Sequence, residues 1–248
     1  MEEYFGIKYT FGKDAIHSKI ESMLDSDQKG YVCVADGVTL SMSQKNKELK
    51  KVLDESSFTV CDSGWVPLYL RLLYGIEREQ YCGSDFLIDI VKAKKYRIMF
   101  LGASNSTLDA LQKNLSKKNE QVVSMSFASL PFLDVKEFDY PKIAEDIKND
   151  NPDIIFVSLG MPKQEYFMHL LLPYLEKGIL IGVGAAFKFH SGLLNQKRAP
   201  QWMIKAKIEW IHRIFSEPKK QIKRCSLIIF SMPFIYLKEY KKKKKTNL

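Results

Sequence analysis

The sequence of 248 residues lacks the motifs that identify several common classes of protein. Its four cysteines form neither a CxxC pair nor a cluster with histidine, so we expect reduced, buried thiols rather than a structural zinc site. The GxGxxG turn of dinucleotide-binding domains and the GxxxxGK[ST] loop of P-loop proteins are both absent. The four histidines do not have the spacing of metal ligands, and we assign them no metal role.

Long apolar segments are also missing. The first residues, MEEYFGIKYTFGKD, carry acidic side chains and no apolar core, so we do not expect a signal peptide. The longest apolar stretch, residues 226–237, is shorter than the about 20 residues that a membrane-spanning helix needs. We therefore predict a cytoplasmic protein whose C-terminal segment can contact a membrane surface.

Positive charge is concentrated near the C-terminus. The formal net charge is +9, and residues 196–248 contain fifteen Lys and Arg against three Glu and no Asp. Such a segment indicates an anionic partner, which can be a nucleic acid or an anionic lipid leaflet. Apolar residues at 227–230 and 234–235 favour the membrane interface. A solvated basic tail is the alternative, and a nucleic-acid arm would have a similar charge.

Short apolar segments alternate with glycine-bearing turns and helical segments along the chain. We predict strands at residues 30–34, 57–61, 96–101, 121–126, 153–159 and 179–183, and helices at residues 45–53, 65–74, 108–115, 140–148 and 164–175. This alternation is typical of an α/β fold, with a parallel sheet covered by helices. We predict a core over residues 1–195 and a basic, aromatic, helical appendage over residues 196–248.

Candidate ligand-binding residues stand where the predicted strands end, because ligands of parallel sheets bind outside the carboxyl ends of the strands. Gly102, Gly160 and Gly184 would let backbone N–H groups approach a pyrophosphate, although each can also be an ordinary turn. Asp62 follows one strand and can act as a general base toward a hydroxyl, or it can cap the next helix. Asp36 follows another strand and has the same two interpretations.

Two further segments carry groups that suit phosphates and sugars. Lys163 can neutralise a phosphate, and Gln164 can donate a hydrogen bond to a sugar or a base, although both also fit an ordinary helix start. Arg198 and Arg213 carry guanidinium groups that match a diphosphate. A solvated helix face is the alternative for both arginines.

Four blocks of the sequence resemble the WecG/TagA/CpsF glycosyltransferases (glycosyltransferase family 26). They are residues 160–165 (GMPKQE), 182–187 (GVGAAF), 197–200 (KRAP) and 209–218 (EWIHRIFSEP), and the resemblance extends over residues 30–220. It implies a Rossmann-like core with helices on both faces and no metal or other cofactor. It also implies inverting transfer from a UDP-sugar to an undecaprenyl-diphosphate-linked sugar, in the assembly of capsule, exopolysaccharide or teichoic acid.

The resemblance also implies roles for individual residues. Asp62 matches the family's proposed catalytic aspartate, and Gln164 matches the glutamine of its PKQE motif. The segment that holds Arg198 and Arg213 matches an appendage thought to dock on the inner face of the cell membrane and to close the active site. Asp36 stands at the position of a family asparagine and is expected to contact the sugar.

Three residues depart from the family pattern, and they leave the donor sugar open. Val34 replaces a threonine, Gln80 an arginine and Lys188 an aspartate, all near the expected sugar site. They suggest a donor other than the N-acetylmannosamine derivative. Besides substrates and membrane, we expect no nucleic-acid partner, and a homo-oligomer stays open. The alternative function is a non-catalytic, membrane-associated scaffold that binds nucleotide sugars.

Overall fold

The computed structural model describes residues 1–193 and 218–246. An eight-stranded sheet runs through this part of the chain, in the order β1-β2-β4-β3-β8-β7-β5-β6. Only β1 and β2 pair antiparallel, and the other neighbours are parallel, which confirms the predicted parallel sheet. The strands are β1 (Glu2–Tyr4), β2 (Ile7–Thr10), β3 (Gly30–Ala35), β4 (Phe58–Cys61), β5 (Ile98–Gly102), β6 (Ser126–Ala128), β7 (Ile154–Ser158) and β8 (Ile179–Gly182).

Helices cover both faces of this sheet. They are α1 (Lys13–Asp25), α2 (Gly37–Ser43), α3 (Lys47–Asp54), α4 (Trp65–Tyr74), α5 (Gly83–Ala93), α6 (Asn105–Leu115), α7 (Tyr140–Asp150), α8 (Lys163–Leu171), α9 (Ala186–Ser191) and α10 (Pro218–Thr246). Helices α2, α3, α4, α7, α8 and α10 contribute to the apolar core on one face, and α1, α5, α6 and α9 to the core on the other. The predicted Rossmann-like α/β architecture is confirmed.

Successive residues of a central strand pack into the apolar cores on opposite faces of the sheet. In β7, Ile154 and Phe156 join the core on one face, whereas Ile155 and Val157 join the core on the other. Because helices cover both faces, a central strand can be apolar throughout. This explains why the strands are visible in the sequence as short apolar runs, and five of the six predicted strands lie within two residues of an observed one.

The predicted strand at residues 121–126 is wrong. Residues Glu120–Ser124 form a 3-10 helix, and only Ser126–Ala128 joins the sheet. The buried Asn119 accepts a hydrogen bond from the backbone N–H of Gln121 (3.0 Å) and donates one to the carbonyl of Val91 (3.0 Å). These bonds fix a turn where the two valines that follow suggest a strand.

The predicted helix at residues 164–175 is observed as two elements. Helix α8 ends at Leu171, and a 3-10 helix, Leu172–Tyr174, follows it. Pro173 has no backbone N–H to continue the α-helical pattern, which accounts for the change. A further 3-10 helix, Val135–Glu137, precedes α7.

Helix α10 packs one of its two faces on the core. Met232 and Ile235 are buried, and Tyr236 meets the ring of Tyr69 on α4 at 5.0 Å between centroids. The buried Glu239 accepts hydrogen bonds from the backbone N–H of Phe5 (3.2 Å) and from the hydroxyl of Tyr74 (2.9 Å). The C-terminal helix is thereby joined to the N-terminal hairpin.

The opposite face of α10 exposes apolar side chains. Phe230 and Phe234 are each 73% exposed, and Ile229 and Leu237 are also exposed. The spacing of these positions places them on one side of the helix, away from Met232. Within residues 1–193 and 218–246, no helix combines the length and apolar character needed to cross a membrane.

The predicted domain boundary between residues 195 and 196 falls outside the described residues. It stays a prediction, and α10 is the part of the proposed appendage that the structure describes.

Candidate active site

The candidate site lies at the carboxyl ends of the central strands. Strand β3 has β4 on one side and β8 on the other, and the chain leaves β3 toward β4. In open α/β sheets the ligand crevice forms at such a change of direction. Asp36 and Asp62 follow β3 and β4 directly, and the last residues of these strands, Ala35 and Cys61, are paired.

Asp62 is held in place by backbone hydrogen bonds. Its N–H donates to the carbonyl of Ala35 (3.0 Å), and its carboxylate Oδ2 accepts from the N–H of Gly83, the first residue of α5 (3.3 Å). The sequence left open whether Asp62 caps α4. Gly64 occupies the N-cap position of that helix, and the hydroxyl of Ser63 accepts from the N–H of Trp65 (3.3 Å). Asp62 therefore stands between two helix starts, with its carboxylate at the positive end of the α5 dipole.

Cys82 lies beside Asp62, and Gln80 lies beside Cys82; no sequence motif indicated Cys82 as part of the site. The amide Nε2 of Gln80 donates to the thiol Sγ of Cys82 (3.2 Å). Burial, together with the negative charge of Asp62, raises the pKa of the Cys82 thiol. Gln80, one of the residues that depart from the family pattern, thus reaches the general-base candidate through one intervening side chain.

The two carboxylate oxygens of Asp36 make different contacts. Its Oδ1 accepts from the N–H of Thr39 (2.8 Å) and from the Thr39 hydroxyl (3.0 Å), so it caps α2. Its Oδ2 forms a salt bridge with the guanidinium of Arg224 on α10. Both side chains of the pair are partly exposed, at 28% for Asp36 and 36% for Arg224. The cap interpretation is confirmed, and sugar contact stays a prediction.

Arg224 is the charged residue at the site that the sequence analysis missed. It is one of many cations in the C-terminal segment, and nothing in its spacing separates it from its neighbours. Only the packing of α10 places it at the end of β3. Arg198 and Arg213, the two arginines that were predicted, lie outside the described residues.

The three glycine turns differ in what requires glycine. All three have a positive φ, at 105° for Gly102, 78° for Gly160 and 54° for Gly184. A Cβ at Gly102 would lie 2.7 Å from the carbonyl oxygen of Ser158, so contact between β5 and β7 requires glycine there. A Cβ at Gly160 would meet no described atom within 4 Å, so only its φ restricts the residue.

Gln164 and Glu165 form a buried polar pair behind the Gly184 turn. Gln164 Oε1 accepts from the N–H of Gly184 (3.0 Å), and Gln164 Nε2 donates to Glu165 Oε1 (2.9 Å). Burial raises the pKa of Glu165 to about 7, although the hydrogen bond from Gln164 acts in the opposite direction. The hydroxyl of Ser158 donates to the carbonyl of Gly184 (2.7 Å), which joins the ends of β7 and β8.

Lys163 points toward the loop that follows β6. Its ammonium donates to the carbonyl of Leu133 and lies 5.2 Å from the ring centre of Phe132 and 5.1 Å from that of Phe138. In this arrangement it holds the loop rather than a glycine turn. Its role toward phosphate stays a prediction.

The remaining sequence candidates are placed as follows. Val34 is buried in β3, and Lys188 is exposed on α9. Within the described ranges, no three His, Cys, Asp or Glu side chains are grouped as a metal site would require.

The chain is similar to known proteins over most of its length. The profile of the glycosyl transferase WecG/TagA/CpsF family matches residues 4–247, which confirms the resemblance and extends it to the N-terminal hairpin. Three similar proteins are all named N-acetylglucosaminyldiphosphoundecaprenol N-acetyl-beta-D-mannosaminyltransferase. The protein of Bacillus subtilis (strain 168) is 30% identical over 240 residues, 92% of this chain and 90% of its own length. Those of Bacillus spizizenii (strain ATCC 23059 / NRRL B-14472 / W23) and Staphylococcus aureus (strain MW2) are each 26% identical, over 82% and 87% of this chain and 78% and 83% of their own lengths.

Proposed function

The chain belongs to the WecG/TagA/CpsF glycosyl transferase family, and on this basis we propose that it transfers a sugar from a UDP-sugar to an undecaprenyl-diphosphate-linked sugar. The reaction inverts the anomeric centre and contributes to the assembly of a cell-surface polysaccharide. Asp36 and Asp62 directly follow two paired strands, and Arg224 on α10 forms a salt bridge with Asp36. This placement supports the proposal most directly. It brings the Asp62 carboxylate and the Arg224 guanidinium to the ends of two neighbouring strands.

In this mechanism Asp62 is the general base. The acceptor hydroxyl attacks the anomeric carbon from the face opposite UDP, and Asp62 takes its proton as the new glycosidic bond forms. The bond between the anomeric carbon and the β-phosphate oxygen breaks, and UDP leaves with its negative charge. The hydrogen bond from Gly83 N–H orients the Asp62 carboxylate for this step.

Arg224 stabilises the leaving diphosphate. A guanidinium offers several N–H donors in a plane and suits phosphate oxygens well. In the structure the salt bridge with Asp36 holds this guanidinium at the end of β3, where it can bind an anion. We propose that the diphosphate takes Asp36's place as the partner of Arg224, and that cationic side chains serve in place of a metal ion.

The outer face of α10 brings the crevice to the lipid-linked acceptor. It exposes Phe230 and Phe234, and four exposed lysines, Lys241, Lys242, Lys244 and Lys245, follow on the last turns of the helix. Aromatic and apolar side chains next to lysines suit the interface of an anionic leaflet. We therefore place the protein in the cytoplasm, bound peripherally to the inner face of the membrane. Closure of the site by the segment that holds Arg198 and Arg213 belongs to the same proposal.

A transfer assay tests the proposal. Purified protein is incubated with a panel of UDP-N-acetylhexosamines and UDP-hexoses, a synthetic polyprenyl-diphosphate-linked sugar and EDTA, and the released UDP and the glycolipid product are measured. We expect UDP release that requires the acceptor, resists EDTA and yields a product of inverted anomeric configuration.

The same assay addresses the alternative function. Val34, Gln80 and Lys188 are the residues that favour a non-catalytic scaffold, because they depart from the family pattern near the expected sugar site. UDP-sugar binding without release, across the whole panel of donors and acceptors, would support the scaffold and contradict the transferase.

A further inference from the structure

Glu165 is a buried acid that the mechanism above does not use. It is fully buried in α8, one residue after Gln164. Its Oε1 accepts the hydrogen bond from Gln164 Nε2 at 2.9 Å, and its Oε2 has no hydrogen-bond partner in the described part of the chain. Burying an acid with one unpaired oxygen is unfavourable, so stability alone does not account for a glutamate at this position.

The Gln164 amide is held between two partners of opposite character. Gly184 supplies an N–H donor to Oε1, and Glu165 supplies an acceptor to Nε2. With the amide rotated by 180°, Nε2 would face the Gly184 N–H, and Oε1 would face the oxygen of Glu165. Each contact would then bring two donors or two acceptors together. Glu165 therefore determines which way the Gln164 amide points.

The space around the amide is closed on the sheet side. A Cβ at Gly182, on β8, would lie 3.0 Å from Gln164 Nε2 and 2.8 Å from the Cε atom of Met168. Gln164 is itself almost fully buried. The amide thus has little freedom except rotation about its last bond, which is the motion that Glu165 opposes.

We propose that Glu165 is a positioning residue that fixes the Gln164 amide and, through it, the Gly184 turn where the donor binds. The second half of this statement rests on the proposed function, because it takes the Gly184 turn as part of the UDP-sugar site. The first half concerns only the protein.

The charges around Glu165 make the pair sensitive to protonation. The ionisable groups that interact with it include Asp36 at the start of α2, Cys33 on β3 and the neighbouring Tyr166, and none of them is a cation. Burial raises the pKa of Glu165 to about 7. The ionised carboxylate is the stronger acceptor for Gln164 Nε2, so we expect the amide to be held more firmly above pH 7 than below it.

The side-chain amide resonance of Gln164 tests the first half directly, without any substrate. The protein is labelled with ¹⁵N-glutamine, and the resonance is assigned by its loss in Gln164→Met. We expect its chemical shift to move with a midpoint near pH 7 in the parent protein and to be constant in Glu165→Gln. In Glu165→Met, which removes the acceptor, the resonance should shift and broaden. Glu176→Gln, at an exposed glutamate, is the control and should behave like the parent.

Donor binding tests the second half. Glu165→Met should raise the KM for the UDP-sugar by roughly tenfold to a hundredfold, the effect of losing a hydrogen bond to a charged group, with a smaller change in kcat. Glu165→Gln, which can still offer a carbonyl oxygen, should stay within about threefold of the parent and lose the pH dependence between pH 6 and 8. Glu165→Met removes a buried charge but leaves Gln164 Nε2 without its acceptor, and these two changes have opposite effects on stability. The KM values are therefore compared at a temperature well below the Tm of every variant.

The outcomes separate the two proposals. A chemical shift of the Gln164 amide that changes neither with pH nor with the Glu165 substitutions would overturn the positioning role. A resonance that responds while KM stays unchanged would also overturn it, because the turn would then not serve the donor. If no UDP-sugar reacts even with the parent protein, the proposed function fails, and the resonance still shows whether Glu165 orients Gln164.

Discussion

Replacing both Phe230 and Phe234 by serine should weaken membrane binding and leave the fold intact. Each side chain is 73% exposed on the outer face of α10, so little packing is lost in the folded state. We expect a change in the free energy of unfolding within about 0.5 kcal/mol. Burying one phenylalanine is worth about 1.5–3 kcal/mol, so the pair should contribute at least about 3 kcal/mol to membrane affinity. That corresponds to a roughly hundredfold weaker affinity for vesicles.

Met232→Ala on the buried face of the same helix is the matched control. Met232 is 1% exposed, and truncating a buried methionine typically costs about 2–5 kcal/mol. We expect a lower Tm but nearly unchanged vesicle affinity at a temperature where this variant is still folded. Cosedimentation with anionic and with zwitterionic vesicles measures binding, and thermal unfolding measures stability.

Two results would refute this reasoning. The double serine variant could bind anionic vesicles as tightly as the parent, in which case the outer face of α10 is not the docking surface. Alternatively, its Tm could fall as far as that of Met232→Ala, in which case the two phenylalanines contribute to the core.

Three further predictions follow from the site and the core. Arg224→Met should lower kcat by roughly a hundredfold or more. Because the Asp36–Arg224 pair is partly exposed, Arg224→Met should change the free energy of unfolding by less than about 1 kcal/mol. Lys223→Met on the same helix is the control in both assays. Gly102→Ala should lower the Tm more than Gly160→Ala, since both have a positive φ but only the first places a Cβ against the Ser158 carbonyl. The pKa of Glu165 is raised from an ordinary 4.5 to about 7, so the folded state binds the proton more tightly than the unfolded state. The parent should therefore lose up to about 3 kcal/mol of stability as the pH rises from 4.5 through 7. Glu165→Gln should not show this loss. Urea unfolding of both proteins at pH 5 and pH 8 measures the difference.

The central sheet could be predicted from the sequence because its strands are buried on both faces. Such strands are short apolar runs, and the turns that follow them need glycine or a small polar residue. The position of Asp62 could be predicted for the same reason, since a residue directly after a strand must lie at the carboxyl edge of the sheet. The N-terminal hairpin and α1 were not predicted. The strands of this hairpin, β1 and β2, are only three and four residues long, and each contains an exposed polar residue between less exposed ones.

Tertiary contacts explain what the sequence could not indicate. Arg224 reaches Asp36 only because α10 packs on α2, and a basic segment does not indicate which of its cations will form such a pair. The direction of Lys163 depends on the aromatic rings of the loop after β6, which is distant in sequence. The 3-10 helix at Glu120–Ser124 depends on the bond between Asn119 and Val91, far along the chain. In each case the deciding partner is not a sequence neighbour.

Acceptor-dependent UDP release by Asp62→Asn tests the central claim most directly. The variant keeps the shape of the side chain and removes the base, and Asp109→Asn at an exposed aspartate on α6 is the matched control. We predict that Asp62→Asn retains its Tm and its affinity for the UDP-sugar while its kcat falls by about 10²–10⁴-fold, and that Asp109→Asn is unchanged. Near-normal turnover by a folded Asp62→Asn protein would contradict the account.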